Sequence, residues 1–307
     1  MGDWSLIGVR FAVYLMLAAL FGLAAFSLYG LREVERDDAL ALPVWLVASA
    51  ALGMLFSAVW IVLLASSMAG TPAWPIDREA VAALLTGSAI GAAWKLRMVM
   101  LAFAGLSALF AARRTVWLSA VAICSAVALA TLAWTGHGAM DDGATGWVHL
   151  IADILHLIAA GAWVGALLGL ILLVSRRATR VDPSHLVLTH RALHGFATMG
   201  TIIVGTLIVT GVVNAWLLVG IDNVLNLGSS SYGRLLIAKI VLFGAMLGLA
   251  SLNRFRLTPA FERSIATGRH ASALGVLRCS LGLETAIVVS ILALVAWLGT
   301  LEPPASM

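Results

Sequence analysis

Residues 147–174 read WVHLIADILHLIAAGAWVGALLGLILLV. A helix needs about 20 mostly apolar residues to cross a hydrocarbon core of about 30 Å. This stretch exceeds that length and carries three ionisable side chains, His149, Asp153 and His156. A 28-residue apolar run of this kind is too long for the buried helix of a soluble domain, and it is not alone. Working outward, comparable runs fall near 6–29, 44–69, 94–111, 116–135, 192–219, 233–252 and 279–299. Of the 307 residues 62% are hydrophobic and 11% charged, against about 45–50% and about 25% in ordinary soluble proteins. The expected fold is therefore all-α: a polytopic membrane helical bundle of about eight transmembrane helices, forming one domain over 1–307.

The intervals between these runs are short. Residues 79–92 are apolar but are followed by Lys95 and Arg97, which predicts a helical approach at the membrane interface, with a long broken third helix as the alternative. The longest polar connection, 253–278, is too short to fold by itself, so no soluble catalytic module is expected and the chain is not read as an enzyme. Asp3 and Trp4 precede the first run, unlike the basic start of a secretory signal, so that run is expected to remain as a helix. Trp4, Trp74, Trp134 and Trp147 stand at run ends, where an aromatic belt belongs. Cys124 and Cys279 each sit alone in apolar sequence, which provides neither a CxxC pair nor a thiolate cage.

Lys and Arg concentrate in alternate connections, as membrane topology requires. One set of connections holds 13 of the 19; Arg10, Arg78, Lys95, Arg97, Arg234 and Lys239 make up the other 6. The richer set is expected to face the cytoplasm, which places both termini and the 136–146 connection in the periplasm of a Gram-negative inner membrane. The net charge of +4 is thus written into topology and lipid contact, and a nucleic-acid partner is not expected.

An ionisable group at bilayer depth costs about 2.5–3.5 kcal/mol on insertion scales, so each one needs a partner or a function. At 3.6 residues per turn His149, Asp153 and His156 lie at relative angles of about 0°, 40° and −20°, with Trp163 near −40° on the same stripe. The two histidines are about 10 Å apart along the axis, too far to share one ion unaided. The preceding loop, GHGAMDDGATG, adds His137, Met140, Asp141 and Asp142. Imidazole, thioether and carboxylate together suit copper in both states, since Met and His favour Cu(I) and His with carboxylate favours Cu(II). The bland alternative is a polar network gluing helices together, with Asp153 neutralised by Lys239 at matching depth. Glu284 lies near the inner end of the last run, where proton or ion transfer and pairing with a neighbouring Arg or Asn are equal alternatives; it is about 13 Å from Lys239 in depth at 1.5 Å per residue, so those two are not expected to pair. Asn214, beside Thr210-Gly211, suits interhelical hydrogen bonding. His190 and His194, four residues apart, fit a basic interfacial turn better than a metal site.

The run His149 to Gly165, the opening Tyr232-Gly233-Arg234 to Lys239, the closing Asn253-Arg254, and the Glu284 run ending in Leu298 to Pro304 resemble the CopD copper-resistance membrane proteins. That resemblance covers most of the chain and implies copper moved from periplasm to cytoplasm, often received from a periplasmic copper-binding protein of the CopC kind. The 307 residues hold no such domain, so the resemblance implies a separate partner. It carries nothing over to His185, His190 or His194. A membrane redox protein is the competing class, with a b-type haem held by histidines of two helices or a quinone beside them. No GxxxxGK[ST] loop occurs, which removes that route to ATP.

Overall fold

A computed structural model describes residues 4–36, 40–111, 113–136, 143–176, 183–220, 223–266 and 270–304. Ten helices are used below: α1 Trp4–Gly30, α2 Leu42–Ala69, α3 Arg78–Gly87, α4 Ala89–Ala108, α5 Thr115–Ala130, α6 Gly143–Val174, α7 Pro183–Val219, α8 Ser231–Leu252, α9 Thr258–Ala266 and α10 His270–Leu298. Eight stretches among the described residues are long and apolar enough to cross a membrane, and the described secondary structure is helical.

α1 is the hub. It packs on α2, α5, α6 and α10, and Leu17, Leu20, Leu23, Ala24 and Phe26 are completely enclosed. Its closest approach is to α6, where glycine is obligatory: a Cβ on Gly165 would fall 1.8 Å from the Gly22 carbonyl carbon, and one on Gly22 would fall 2.0 Å from the Gly161 oxygen. Small residues spaced by four let membrane helices meet backbone to backbone, where packing rather than water drives association. α2, α4 and α5 complete one side of α1; on the other, α7 and α10 pack on α6, and α8 packs on α10. α7 and α8 lie at the periphery, with most of their surface turned outward.

The third span follows the broken-helix alternative. It begins at Ala89 rather than near 94, after the short helix α3. Ser88 makes the break by adopting an extended backbone and accepting from Gly91 N at 3.0 Å. Lys95 and Arg97 therefore lie within the helix. Arg97 is completely buried, donating from Nε to Thr131 Oγ1 at 2.8 Å and standing over the Trp60 ring at 5.4 Å. Arg10 is also interior: it donates to the carbonyls of Gly299 at 2.9 Å and Thr135 at 3.3 Å, tying α1 to the ends of α5 and α10. Lys239 lines internal cavities. These three are thus structural or site residues, and of the poorer set Arg78, Lys95 and Arg234 remain, each in the first turns of a helix.

The 253–278 connection is helical over much of its length. α8 runs through a π-turn, Asn253–Leu257, into α9, and α10 begins at His270. The end of the bundle away from the termini is held by polar contacts. Arg191 pairs with Glu35, Arg278 Nη2 donates to Val174 O at 2.7 Å, and His185 bridges Leu173 O at 3.0 Å and Arg176 at 3.2 Å. Burial raises the Glu35 carboxyl, but the Arg191 and Arg32 contacts outweigh it and hold the group below its usual range. The contribution of Glu35 to stability is accordingly present above the ordinary Glu range and fades as acidity protonates the folded form.

Candidate functional site

Three cavities follow the striped face of α6. The first, of about 180 Å³, lies near the termini and is lined by Arg10, His149, Asp153, His156, Asn214, Tyr232 and Lys239. The second, about 350 Å³, is almost wholly apolar apart from His156 and Lys239 and reaches Trp163 and Met246. The third, about 270 Å³, continues from Trp163 to Asn253, Arg254 and Glu284. The first two share His156, Ala160 and Lys239, and the last two share Trp163. α6, α7, α8 and α10 supply nearly all of the walls.

The stripe places its residues together for the reason its period suggests: every third or fourth residue of α6 faces the same interhelical space. His149 is buried. Asp153 Oδ1 lies 3.5 Å from Asn214 Nδ2 on α7, and no ion pair within 4.0 Å joins it to Lys239, although both line the first cavity. His156 Nδ1 lies 2.9 Å from Thr210 Oγ1. Thr210 spends its own hydroxyl hydrogen on Thr206 O at 2.6 Å, so Nδ1 must be the donor in the pair. This assigns the Nδ1–H tautomer and leaves Nε2 with a free lone pair on a residue that lines two cavities. Such orientation of an imidazole by a neighbour that is not itself a ligand is a recurrent property of metal-binding histidines.

Tyr232 reaches the cavity because Ser230 caps α8, accepting from Gly233 N at 3.0 Å. The preceding turn lies so close that a Cβ on Gly233 would fall 1.7 Å from Leu227 O. That accounts for the Tyr-Gly pair at this position. Arg234, one residue on, is exposed and donates to Ser231 Oγ at 3.2 Å, outside the cavities. Asn214 is at the site, with Oδ1 buried and unpartnered. Glu284 lies in the third cavity, bonded to Asn253 and not to Lys239. His190 stands 3.6 Å from Glu262 and does not enter these cavities. His137 and Met140 fall outside the described residues.

Among the described residues no three His, Cys, Asp or Glu side chains come close enough to hold an ion together. Single donors are instead spaced along the α6 face. Nor do these cavities offer a haem two axial histidines from different helices, since His149 and His156 both belong to α6. Thr210, Tyr232, Tyr14 and Arg10 are the site residues that sequence reasoning had not assigned to it. An arginine four residues inside an apolar run was the available signal for Arg10.

Comparison with known proteins gives the context of this face. The family described as "Copper resistance protein D-like, N-terminal domain" matches residues 1–147, and "Copper resistance protein D" matches 190–298. Most of α6 falls between the two. Copper resistance protein D of Pseudomonas syringae pv. tomato is 44% identical over 306 residues, covering 99% of this chain and 98% of that protein. Inner membrane protein YebZ of Escherichia coli (strain K12) is 30% identical over 172 residues, 56% of this chain and 55% of that protein. Copper transport protein CutJ of Bacillus subtilis (strain 168) is 31% identical over 132 residues, 43% of this chain and 23% of that protein. No solved structure matches. With near-complete coverage by one relative and matches to both halves, the chain belongs to the copper resistance protein D family of multi-pass inner-membrane proteins.

Proposed function

We propose that this copper-handling inner-membrane protein accepts copper at its periplasmic mouth and passes it through the bundle to the cytoplasm. The observation that carries the reading is the run of adjacent cavities along one face of α6, from His149 and Asp153 past His156 to Trp163 and Glu284. Donors spaced singly along such a run suit transit, because conduction requires sites that bind strongly enough to admit an ion and weakly enough to release it. His137 and Met140 would receive the ion at the mouth, from a separate periplasmic carrier of the CopC kind. His149 and Asp153 take it next and His156 last, its Nε2 held ready by Thr210. The membrane potential favours inward movement of one positive charge by about 2.3 kcal/mol per 100 mV.

In this reading both termini are periplasmic. Moving Arg10, Arg97 and Lys239 into the interior leaves the remaining loop cations still more unequally divided than the counts from sequence suggest. A C-terminal alkaline phosphatase fusion should be active and a C-terminal green fluorescent protein fusion dark; the reverse pattern contradicts the orientation. The whole chain acts as one bundle, a view supported by the Gly22–Gly165 crossing between its two halves.

The role of Thr210 has its own expected result. Thr210→Val keeps the shape but removes the acceptor for His156 Nδ1, and loss of such an orienting partner lowers metal affinity by about 10–100-fold. Copper titration of the purified variant checks this, and unchanged affinity at normal abundance counts against His156 as a ligand. The function itself is tested by copper accumulation in cells with and without the protein. Accumulation should rise with expression; equal copper content in both would contradict uptake.

A further inference from the structure

Glu284 is 1% exposed, deep in the third cavity. Its Oε2 accepts from Asn253 Nδ2 at 2.8 Å, but its Oε1 has no partner, and neither has Asn253 Oδ1. Both are acceptors, so neither can satisfy the other. Ser280 Oγ, one turn before Glu284 on α10, is likewise buried without a partner, and the buried Trp163 Nε1–H, too far for a full hydrogen bond, faces the Glu284 carboxyl as a donor. Buried polar atoms left unpaired are costly, and each calls for an explanation. Asn253 opens the π-turn that ends α8, a local widening of the helix often found at functional sites.

One proton supplies the donor that Asn253 Oδ1 lacks. On Oε1 it turns an acceptor-only carboxylate into a group with a donor, and the carboxyl and carboxamide can then bond reciprocally, Asn253 Nδ2–H to Oε2 and Oε1–H to Asn253 Oδ1. Copper can pass this chamber but is not retained in it, because the cavity is lined by no histidine, cysteine or methionine and an all-oxygen set suits hard ions. The charged and titratable groups of the neighbouring elements are engaged elsewhere. Arg10 on α1 is bonded at the terminal end, Asp153 and His156 on α6 and Lys239 on α8 line the other cavities, and Glu262 on α9 contacts His190. Arg254, on the cavity wall, donates to Thr201 on α7. Glu284 thus faces a chamber in which a proton is the ion its surroundings accommodate.

We propose that the Glu284–Asn253 pair is a proton-binding site in the third cavity, and that its loading is coupled to the passage of copper through the same bundle. The binding site stands on its own geometry; the coupling rests on the transport reading above. One O–H bond of hydronium from the aqueous phase breaks as the carboxyl O–H bond forms, leaving water, and release of the proton reverses the exchange.

Infrared difference spectroscopy of the full chain in liposomes, titrated with pH, tests the site. A protonated-carboxyl band should appear on acidification and be absent from Glu284→Gln, which keeps an amide in place of the acid. Asn253→Leu, which removes the reciprocal partner, should shift the same band. A band unchanged in Glu284→Gln overturns the site, as does one abolished at constant pH by added sodium, which would make it a sodium site. Copper flux in the same liposomes tests the coupling. An imposed pH gradient should change the wild-type rate several-fold and leave the rate of Glu284→Gln unaltered. Equal responses overturn the coupling, and a titrating band in a protein that moves no copper overturns transport while the proton site stands.

Discussion

His156→Ala abolishes copper-dependent function while the protein inserts and accumulates normally. The expectation follows from depth and chemistry together. The second cavity is almost wholly apolar, and His156 and Lys239 are its ionisable lining groups; a lysine ammonium cannot ligate a cation. Removing the imidazole therefore leaves copper only the weak thioether of Met246 in that cavity, whereas at the level of His149 a carboxylate from Asp153 remains. His149→Ala should accordingly weaken function without eliminating it. If His156 served to glue α6 to α7 through Thr210, its loss would remove an interhelical hydrogen bond worth about 1 kcal/mol, and abundance and function would decline together. Resistance or accumulation assays normalised to protein abundance separate the two. Asp153→Asn is the companion test. Should Asp153 serve only to balance Lys239, the double variant with Lys239→Met will recover function; as a station for copper, Asp153 cannot be rescued in this way.

Gly165→Leu prevents the bundle from forming. A Cβ there would meet backbone, 1.8 Å from the Gly22 carbonyl carbon, and no rotamer change relieves a clash with backbone. Overpacking inside a core costs about 1–3 kcal/mol when side chains can yield; here α1 and α6 must separate, and the span that anchors the whole molecule loses its principal contact. Abundance in the membrane fraction should drop roughly tenfold or more, since changes of 1–2 kcal/mol already alter abundance several-fold. Gly248→Leu is the control, because a Cβ on Gly248 meets nothing within 4 Å and should be tolerated. Normal accumulation of Gly165→Leu would mean that the two helices do not cross at this point.

Span count was legible because it depends on length and apolarity, both local properties. Span ends were less so. α7 starts at Pro183 and α10 at His270, nine residues before the apolar runs begin, because helices continue beyond the hydrocarbon core with polar residues that hydropathy counts as loop. The third span follows the alternative of a long helix broken ahead of the membrane run, at Ser88. Arg97 is tolerated inside α4 by Thr131 and Trp60, which belong to other parts of the chain. The same distinction governs the site. The α6 stripe could be read from helical period alone, but Thr210, Tyr232 and Arg10 join it only through the register between helices, which no single segment encodes. The count of loop cations likewise included Arg10 and Lys239, which face the interior.

Copper uptake into liposomes containing the purified protein, with a membrane potential imposed in either direction, tests the central claim most directly. The account predicts protein-dependent movement of copper toward the negative side along the periplasm-to-cytoplasm route, lost in His156→Ala. Flux equal to that of empty liposomes, or a His156→Ala protein that transports as the wild type does, would contradict it.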